Sequence, residues 1–384
     1  MITNPFTPSF GGAPEYFAGR TDLIKRVENA LSDARSPDRA MFVTGCRGSG
    51  KTALLERLSH LARGERWLSI DVHSSHAVLS ILDGIGASGV FGRLQVSPSV
   101  VLPGGVQVKG EASSSSVQNS QKDFAGELVR ACESLQGRRG IFITIDEVQK
   151  IPEGDMEEIC AAVQMARRKG LPISLMLAGL PGSKELVAGY KGCTFMQRVE
   201  DVHIGGILID ETTEAFADLL HLVPKLEVTE DVVWELSSMS QGYPYLIQLV
   251  GYCFVKSLDE AYPVGVRRPT VEDVRFVEDE VYGTYGTNVL APSTRGVRGE
   301  AMLYLKAMAH LQDEDGFVRT ADVAKALGKE QRQLSTCRRS LIQRRLVLPT
   351  GYGKVCFGLP YLTRYVLEAP AQMRFNMEGR WVPR

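Results

Sequence analysis

Gly45-Cys46-Arg47-Gly48-Ser49-Gly50-Lys51-Thr52 groups the residue types that together hold phosphate, at the spacing G-x-x-x-x-G-K-[ST]. Successive backbone N–H groups in such a loop converge on an anion, and the N-terminus of a following helix adds partial positive charge. Gly45, Gly48 and Gly50 are expected to supply positive φ angles and close approach to the ligand. Cys46, Arg47 and Ser49 occupy the positions between them. Lys51 is expected on the β- and γ-phosphates, and the Thr52 hydroxyl on Mg2+. A second chemistry-bearing group, Asp146-Glu147, ends the apolar run Gly140-Ile141-Phe142-Ile143-Thr144-Ile145. Such a strand is the other half that an ATP site requires, because phosphoryl transfer needs charge neutralisation and a positioned nucleophile. The pair predicts bound ATP with Mg2+.

Both groups have the flanks they need. Ala40-Met41-Phe42-Val43-Thr44 reads as a strand entering the loop, and residues 53–58 as a helix leaving it. Further strands are expected over 66–72, 173–178 and 201–204, with a helix over 156–166 between two of them. Alternating strands and helices predict a parallel α/β sheet with its site at the strands' C-terminal edge. Residues 84–120, rich in Gly, Ser and Val, interrupt this order and read as a surface insertion.

Composition sets the outer limits. The chain has 384 residues, 44% hydrophobic and 23% charged, ordinary values for a globular protein of two or three domains. Seven cysteines without C-x-x-C spacing argue against a zinc site or a disulfide framework and favour a reducing, cytoplasmic setting. No basic, apolar leader opens the chain and no run of 18 apolar residues occurs, so neither export nor a membrane span is expected. The net charge of −1 conceals a basic end, since residues 291–384 carry 16 Lys and Arg against 8 Asp and Glu. An anionic partner is expected there.

That end has a pattern of its own. Helices are expected over 300–309, over 320–328 (capped by Thr320, stopped by Gly328) and over 331–345. Leu334, Cys337, Leu341 and Ile342 share one face of the last, leaving Arg332, Ser335, Thr336, Arg338 and Arg339 mainly elsewhere. Residues 346–348 and 355–357 then form strands around a turn carrying Lys354. This is a winged helix-turn-helix. Arg332, Gln333, Ser335, Thr336, Arg338 and Arg339 on a recognition helix, with Lys354 on the wing, predict double-stranded DNA as partner. Five arginines fall within 331–345.

Four ordered motifs resemble a known group. Phe17-Ala18-Gly19-Arg20 resembles the segment ahead of the loop in origin-recognition-type initiators and in related prokaryotic AAA+ and STAND-like ATPases. Gln241-Gly242-Tyr243-Pro244 resembles the G-x-P segment of their helical lid. The loop and the acidic strand complete the set, over about residues 5–365, and the C-terminal winged helix also resembles that of the initiator-type ATPases. The resemblance implies that Phe17 and Arg20 lie by the adenine and that Pro244 belongs to a lid. It also implies that Asp146 holds Mg2+ through water while Glu147 polarises the attacking water. Arg198, just before the fifth strand, is where an arginine finger would reach a neighbouring copy's γ-phosphate. The implied organisation is a P-loop ATPase domain over 1–208, a helical lid over 209–290, a winged helix over 291–370 and a basic tail over 371–384. Within the lid, helices are expected from a capping Thr212 and from Asp231 to near Gly242.

Two features depart from the pattern. Pro244 stands near where a lid arginine is usual, and Ala178-Gly179-Leu180-Pro181 offers no polar sensor at the end of the fourth strand. Slow hydrolysis is therefore expected of an ATP-dependent DNA-binding switch, alone, as a homo-oligomer or with a partner protein. The alternative is a STAND-like signalling or defence ATPase whose winged helix contacts protein.

Overall fold

The computed structural model describes residues 3–8, 17–73, 75–87, 124–135, 137–262, 265–351 and 353–369, with two short strands beyond them at Met373–Phe375 and Trp381–Pro383. Most of the 84–120 insertion and of the 371–384 tail lies outside these residues. The chain forms two compact units, each discontinuous in sequence.

The sheet unit comprises Thr21–Thr44 and Leu54–Val202. Its five strands are β1 (Ala40–Thr44), β2 (Leu68–Val72), β3 (Ile141–Ile145), β4 (Ile173–Gly179) and β5 (Glu200–His203), in the order β2-β3-β4-β1-β5. Strands β1, β3 and β4 are buried along their whole length, as expected of parallel strands covered on both faces. Their helices are α1 (Thr21–Ser32), α2 (Lys51–Gly64), α3 (Ala77–Ala87), α4 (Phe124–Glu133), α5 (Glu153–Arg168) and α6 (Ser183–Ala188). In register, Thr44 pairs with Gly179 and Ile145 with Leu177. The strand feeding the loop and the strand bearing the acids therefore end on one edge of the sheet.

The insertion does not begin at Gly84, because α3 continues to Ala87. A Cβ on Gly84 would lie 2.8 Å from the Ile70 side chain, so glycine lets this helix close onto β2.

The helical unit comprises Met1–Arg20, Gly45–Ala53 and His203–Arg384. It holds α7 (Ile209–His221), α8 (Glu230–Ser240), α9 (Pro244–Ala261), α10 (Val271–Phe276), α11 (Glu278–Tyr285), α12 (Ala291–Thr294), α13 (Glu300–Leu311), α14 (Thr320–Ala326), α15 (Ser335–Gln343) and α16 (Leu362–Glu368). Strands β6 (Phe317–Arg319), β7 (Val347–Gly351) and β8 (Lys354–Phe357) make an antiparallel sheet in the order β6-β8-β7. Helix, strand, two helices and a two-stranded wing are the winged helix read from sequence. Its apolar residues and those of the lid helices form one continuous core. Tyr285 links the two, with ring centroids 5.9 Å from Tyr243 and 6.2 Å from Tyr361.

Three helix starts differ from expectation. Thr212 does not cap α7, which begins three residues earlier; its hydroxyl donates to the Leu208 carbonyl inside the helix. Thr320 makes no capping bond either: its hydroxyl lies 3.4 Å from Gln331 Oε1, and its N–H donates to Gly353 of the wing. The recognition helix spans Ser335–Gln343, not 331–345. Ahead of it the Glu330 N–H donates to Gln333 Oε1, a local turn that competes with helix.

Candidate nucleotide site and winged-helix surface

The glycine loop lies within the helical unit, where α9 begins on top of it. Gly48 and Gly50 have φ of +83° and +85°. Gly45 does not share this conformation. A Cβ there would stand 2.3 Å from Ser49 Oγ and 2.7 Å from the Ile204 carbonyl, so its requirement is close packing alone. The Tyr245 N–H donates to the Gly48 carbonyl at 3.1 Å, and the Tyr243 hydroxyl to the Arg47 carbonyl at 2.6 Å. Pro244, the first residue of α9, sits against Gly50. Proline suits this position, since an N1 residue has no intrahelical partner for an N–H.

Lys51 is buried, and its ammonium donates to the Gly45 and Cys46 carbonyls at 3.0 Å each, which keeps the charge over the loop. Ser49 is wholly buried and its hydroxyl has no hydrogen-bond partner among the described residues. An unmet buried hydroxyl costs about 1–3 kcal/mol, so this orphan fits a loop built around a polar ligand. Burial pushes the Cys46 thiol up to about 11, against weaker opposing pulls from Lys51 and Arg345. The residue is a neutral wall of the loop.

Beside the loop opens a shallow cleft, lined among others by Phe17, Arg20, Gly50, Ala53, Pro244 and Ile247. Arg20 donates to the Ser49 carbonyl at 3.3 Å and to the Gly205 carbonyl at 2.5 Å. Burial lowers its basicity, while Glu211 and Tyr243 act the other way. The cleft joins an apolar wall to the glycine loop, the arrangement a nucleoside with a phosphate tail requires.

The acids belong to the sheet unit. Asp146 is buried and accepts the Glu147 N–H at 2.7 Å. Glu147 has left-handed backbone (φ +52°), a conformation that costs a non-glycine residue free energy and that gathers at working sites. Its carboxylate accepts from Gln149 Nε2 at 2.8 Å and stands 3.3 Å from the Lys150 ammonium. Arg198 closes the 3-10 turn Lys191–Arg198 and is exposed.

On the winged helix the basic residues divide. Thr336 and Arg339 are exposed on α15, and Arg332 and Gln333 are exposed in the turn before it. Ser335 donates to the Arg332 carbonyl at 2.7 Å. Arg338 is half-buried beside the Tyr304 hydroxyl. Lys354 lies 5.5 Å from the centre of the Phe317 ring. Two arginines of the cluster are structural. Arg344 donates to the Ser293 and Arg295 carbonyls at 2.9 and 2.5 Å, and Arg345 bonds the His203 ring. Counting arginines in sequence overstated the open positive charge. Three residues absent from the expected site also bond to its parts or to the winged helix's neighbours: Gln149 to Glu147, Tyr243 to the Arg47 carbonyl and Arg345 to His203. Only Tyr243 carried a signal, since it sits inside the G-x-P segment.

Residues 16–177 match the AAA ATPase domain family, and residues 288–366 match DUF8462, a domain of unknown function. No curated protein matches the chain. Among solved structures, the Walker-type ATPase PABY2304 of Pyrococcus abyssi is similar over 92% of this chain and 97% of that one, with 14% identity and a TM-score of 0.61. The ORC2 protein of Aeropyrum pernix, in its ADPNP–ADP complexes, is similar over 95% of this chain and 97% of its own, with 13% identity and a TM-score of 0.60. No helix among the described residues is long and apolar enough to cross a membrane. The chain carries a P-loop ATPase domain, matched over residues 16–177 by the AAA ATPase domain family, within a fold similar to that of these two proteins.

Proposed function

We propose that the protein is an ATP-dependent switch that binds double-stranded DNA, with slow hydrolysis resetting it. One observation carries the reading: within the helical unit the phosphate loop is bonded to both the lid and the winged helix. Tyr243 and Tyr245 bond the carbonyls of Arg47 and Gly48, and Cys46 Sγ lies 3.9 Å from the Arg345 carbonyl. A phosphate that reorders the loop must therefore act on groups tied to the winged helix.

Phe17, Arg20 and Pro244 would border the base, and the loop amides with Lys51 the phosphates. The Thr52 hydroxyl and Asp146 carboxylate would hold Mg2+, which neutralises phosphate charge. Glu147 would polarise the attacking water, and Arg198 would serve a neighbouring copy. Exposed Arg332, Thr336 and Arg339 are the groups that would meet DNA, with Gln333, Ser335, Arg338 and Lys354 beside them. The domain boundaries expected from sequence remain part of this proposal, as does a cytoplasmic location.

The contact between Cys46 and Arg345 also favours the second reading, a signalling ATPase whose winged helix is an internal clamp on protein. Mobility shift of the full chain on duplex DNA, with ATP and with ADP, separates the two. The switch requires DNA affinity that differs between nucleotides, whereas the clamp requires none with either. Lys51→Ala is expected to abolish nucleotide binding and with it the difference.

A further inference from the structure

The end of β4 lacks a polar sensor, and the geometry there explains what stands in its place. A Cβ on Gly179 would lie 2.7 Å from both Cβ and Oγ of Ser183 and 2.9 Å from Val148. No side chain fits. Instead α6 and the 3-10 turn Val148–Lys150 close on the bare strand end and bring Ser183 and Gln149 together. Gln149 Oε1 accepts from the Ser183 hydroxyl at 3.1 Å and from the Leu180 N–H at 3.4 Å. An amide N–H can only donate, so the side-chain oxygen must face Leu180, and the NH2 must face the other way. There Nε2 donates to Glu147 Oε2 at 2.8 Å.

We propose that Gln149 is a positioning residue for Glu147, linking the carboxylate that activates water to the end of β4 through Leu180 and Ser183. The proposal rests on the reading of Glu147 as the base. The hydrogen bond fixes one carboxylate oxygen and leaves the other to accept a proton from water. It also steadies a residue whose left-handed backbone would otherwise relax.

The two halves of the amide can be tested separately. Gln149→Glu keeps an acceptor for Ser183 and Leu180 but replaces the donor facing Glu147 with a second carboxylate oxygen. In the full-length protein with Mg-ATP, single-turnover hydrolysis should fall roughly tenfold or more, part of the 10²–10⁴ that a positioned base contributes. The dissociation constant of a fluorescent ATP analogue should stay within about twofold, because a positioning loss acts on turnover rather than on binding. Ser183→Ala, which removes one of the two bonds that orient the amide, should slow turnover by a smaller factor, about twofold to fivefold. It carries the test should Gln149→Glu fail to fold.

Glu147→Gln serves as the reference. Loss of turnover in Glu147→Gln with unchanged rates in the Gln149 and Ser183 variants overturns the positioning role and leaves the base intact. Normal turnover in Glu147→Gln, or none in the unmodified protein, removes the base and the proposal with it. Equal loss of binding and rate in Gln149→Glu assigns Gln149 a purely structural part and overturns the proposal as well.

Discussion

The loop's chemistry depends on single positions whose demands differ. Gly48 has φ of +83°, and a Cβ there would meet Tyr245 Cβ at 2.9 Å. Gly48→Ala is expected to cost about 1–3 kcal/mol in urea unfolding and to weaken ATP binding, combining left-handed strain with overpacking. Gly64→Ala is the matched control, since it lies in α2 with no atom within 4 Å of its Cβ. It should be neutral or slightly stabilising, because alanine favours helix. Equal behaviour of the two would remove the strain argument. Cys46 gives a second test at this scale. Its thiol, raised to about 11 by burial, gains thiolate only as pH rises through that value. Only the thiolate attacks an alkylating reagent. Iodoacetamide at pH 8 should therefore label Cys46 more slowly in the folded protein than in the unfolded chain, and faster labelling when folded would contradict this half-buried, raised thiol.

At the scale of elements, the parallel strands were legible because burial on both faces demands continuous apolar runs, and Ile141–Ile145 and Ile173–Gly179 read that way. The loop and acids were legible because strand ends fix their place. Helix ends were less so. Thr212 and Thr320 have the type of a cap, yet their hydroxyls go elsewhere, to Leu208 and towards Gln331, which only the folded neighbourhood decides. Gln149 was invisible for the same reason, as its partners Leu180 and Ser183 lie 31 and 34 residues away. Gly179 looked like a missing sensor and is instead a packing requirement. Gly179→Ser, which restores a polar side chain at that strand end, is expected to destabilise the protein by about 1–3 kcal/mol by overpacking against Ser183 and Val148. A more stable or more active Gly179→Ser protein would mean that the strand end has room the packing denies.

At the scale of the whole molecule, charge and connectivity make joint demands. The basic excess of residues 291–384 is partly internal, because Arg344 and Arg345 bond carbonyls and the His203 ring. Arg295, Arg298, Lys325 and Lys329 are exposed elsewhere in this region, and the arginines exposed on β6, on α15 and in the turn before it are Arg319, Arg332 and Arg339. Each phosphate neutralised contributes about −0.9 to the slope of log affinity against log salt, so contacts from these arginines give a slope near −3 and roughly a fortyfold loss between 50 and 200 mM. A steeper slope would bring in further exposed cations, such as Arg295, Arg298 and Lys325. Arg345 has a separate part. Its side chain bonds His203 and its carbonyl faces the Cys46 thiol, so this half-buried residue joins the winged helix to the phosphate loop. Arg345→Ala should therefore leave the salt slope unchanged while reducing the difference in DNA affinity between ATP and ADP. Arg339→Ala should do the reverse, lowering the slope by about one and preserving the nucleotide effect. Fluorescence-anisotropy titrations across salt, in both nucleotides, measure the two quantities on the same samples. If both substitutions change the slope alone, the loop and the winged helix work independently.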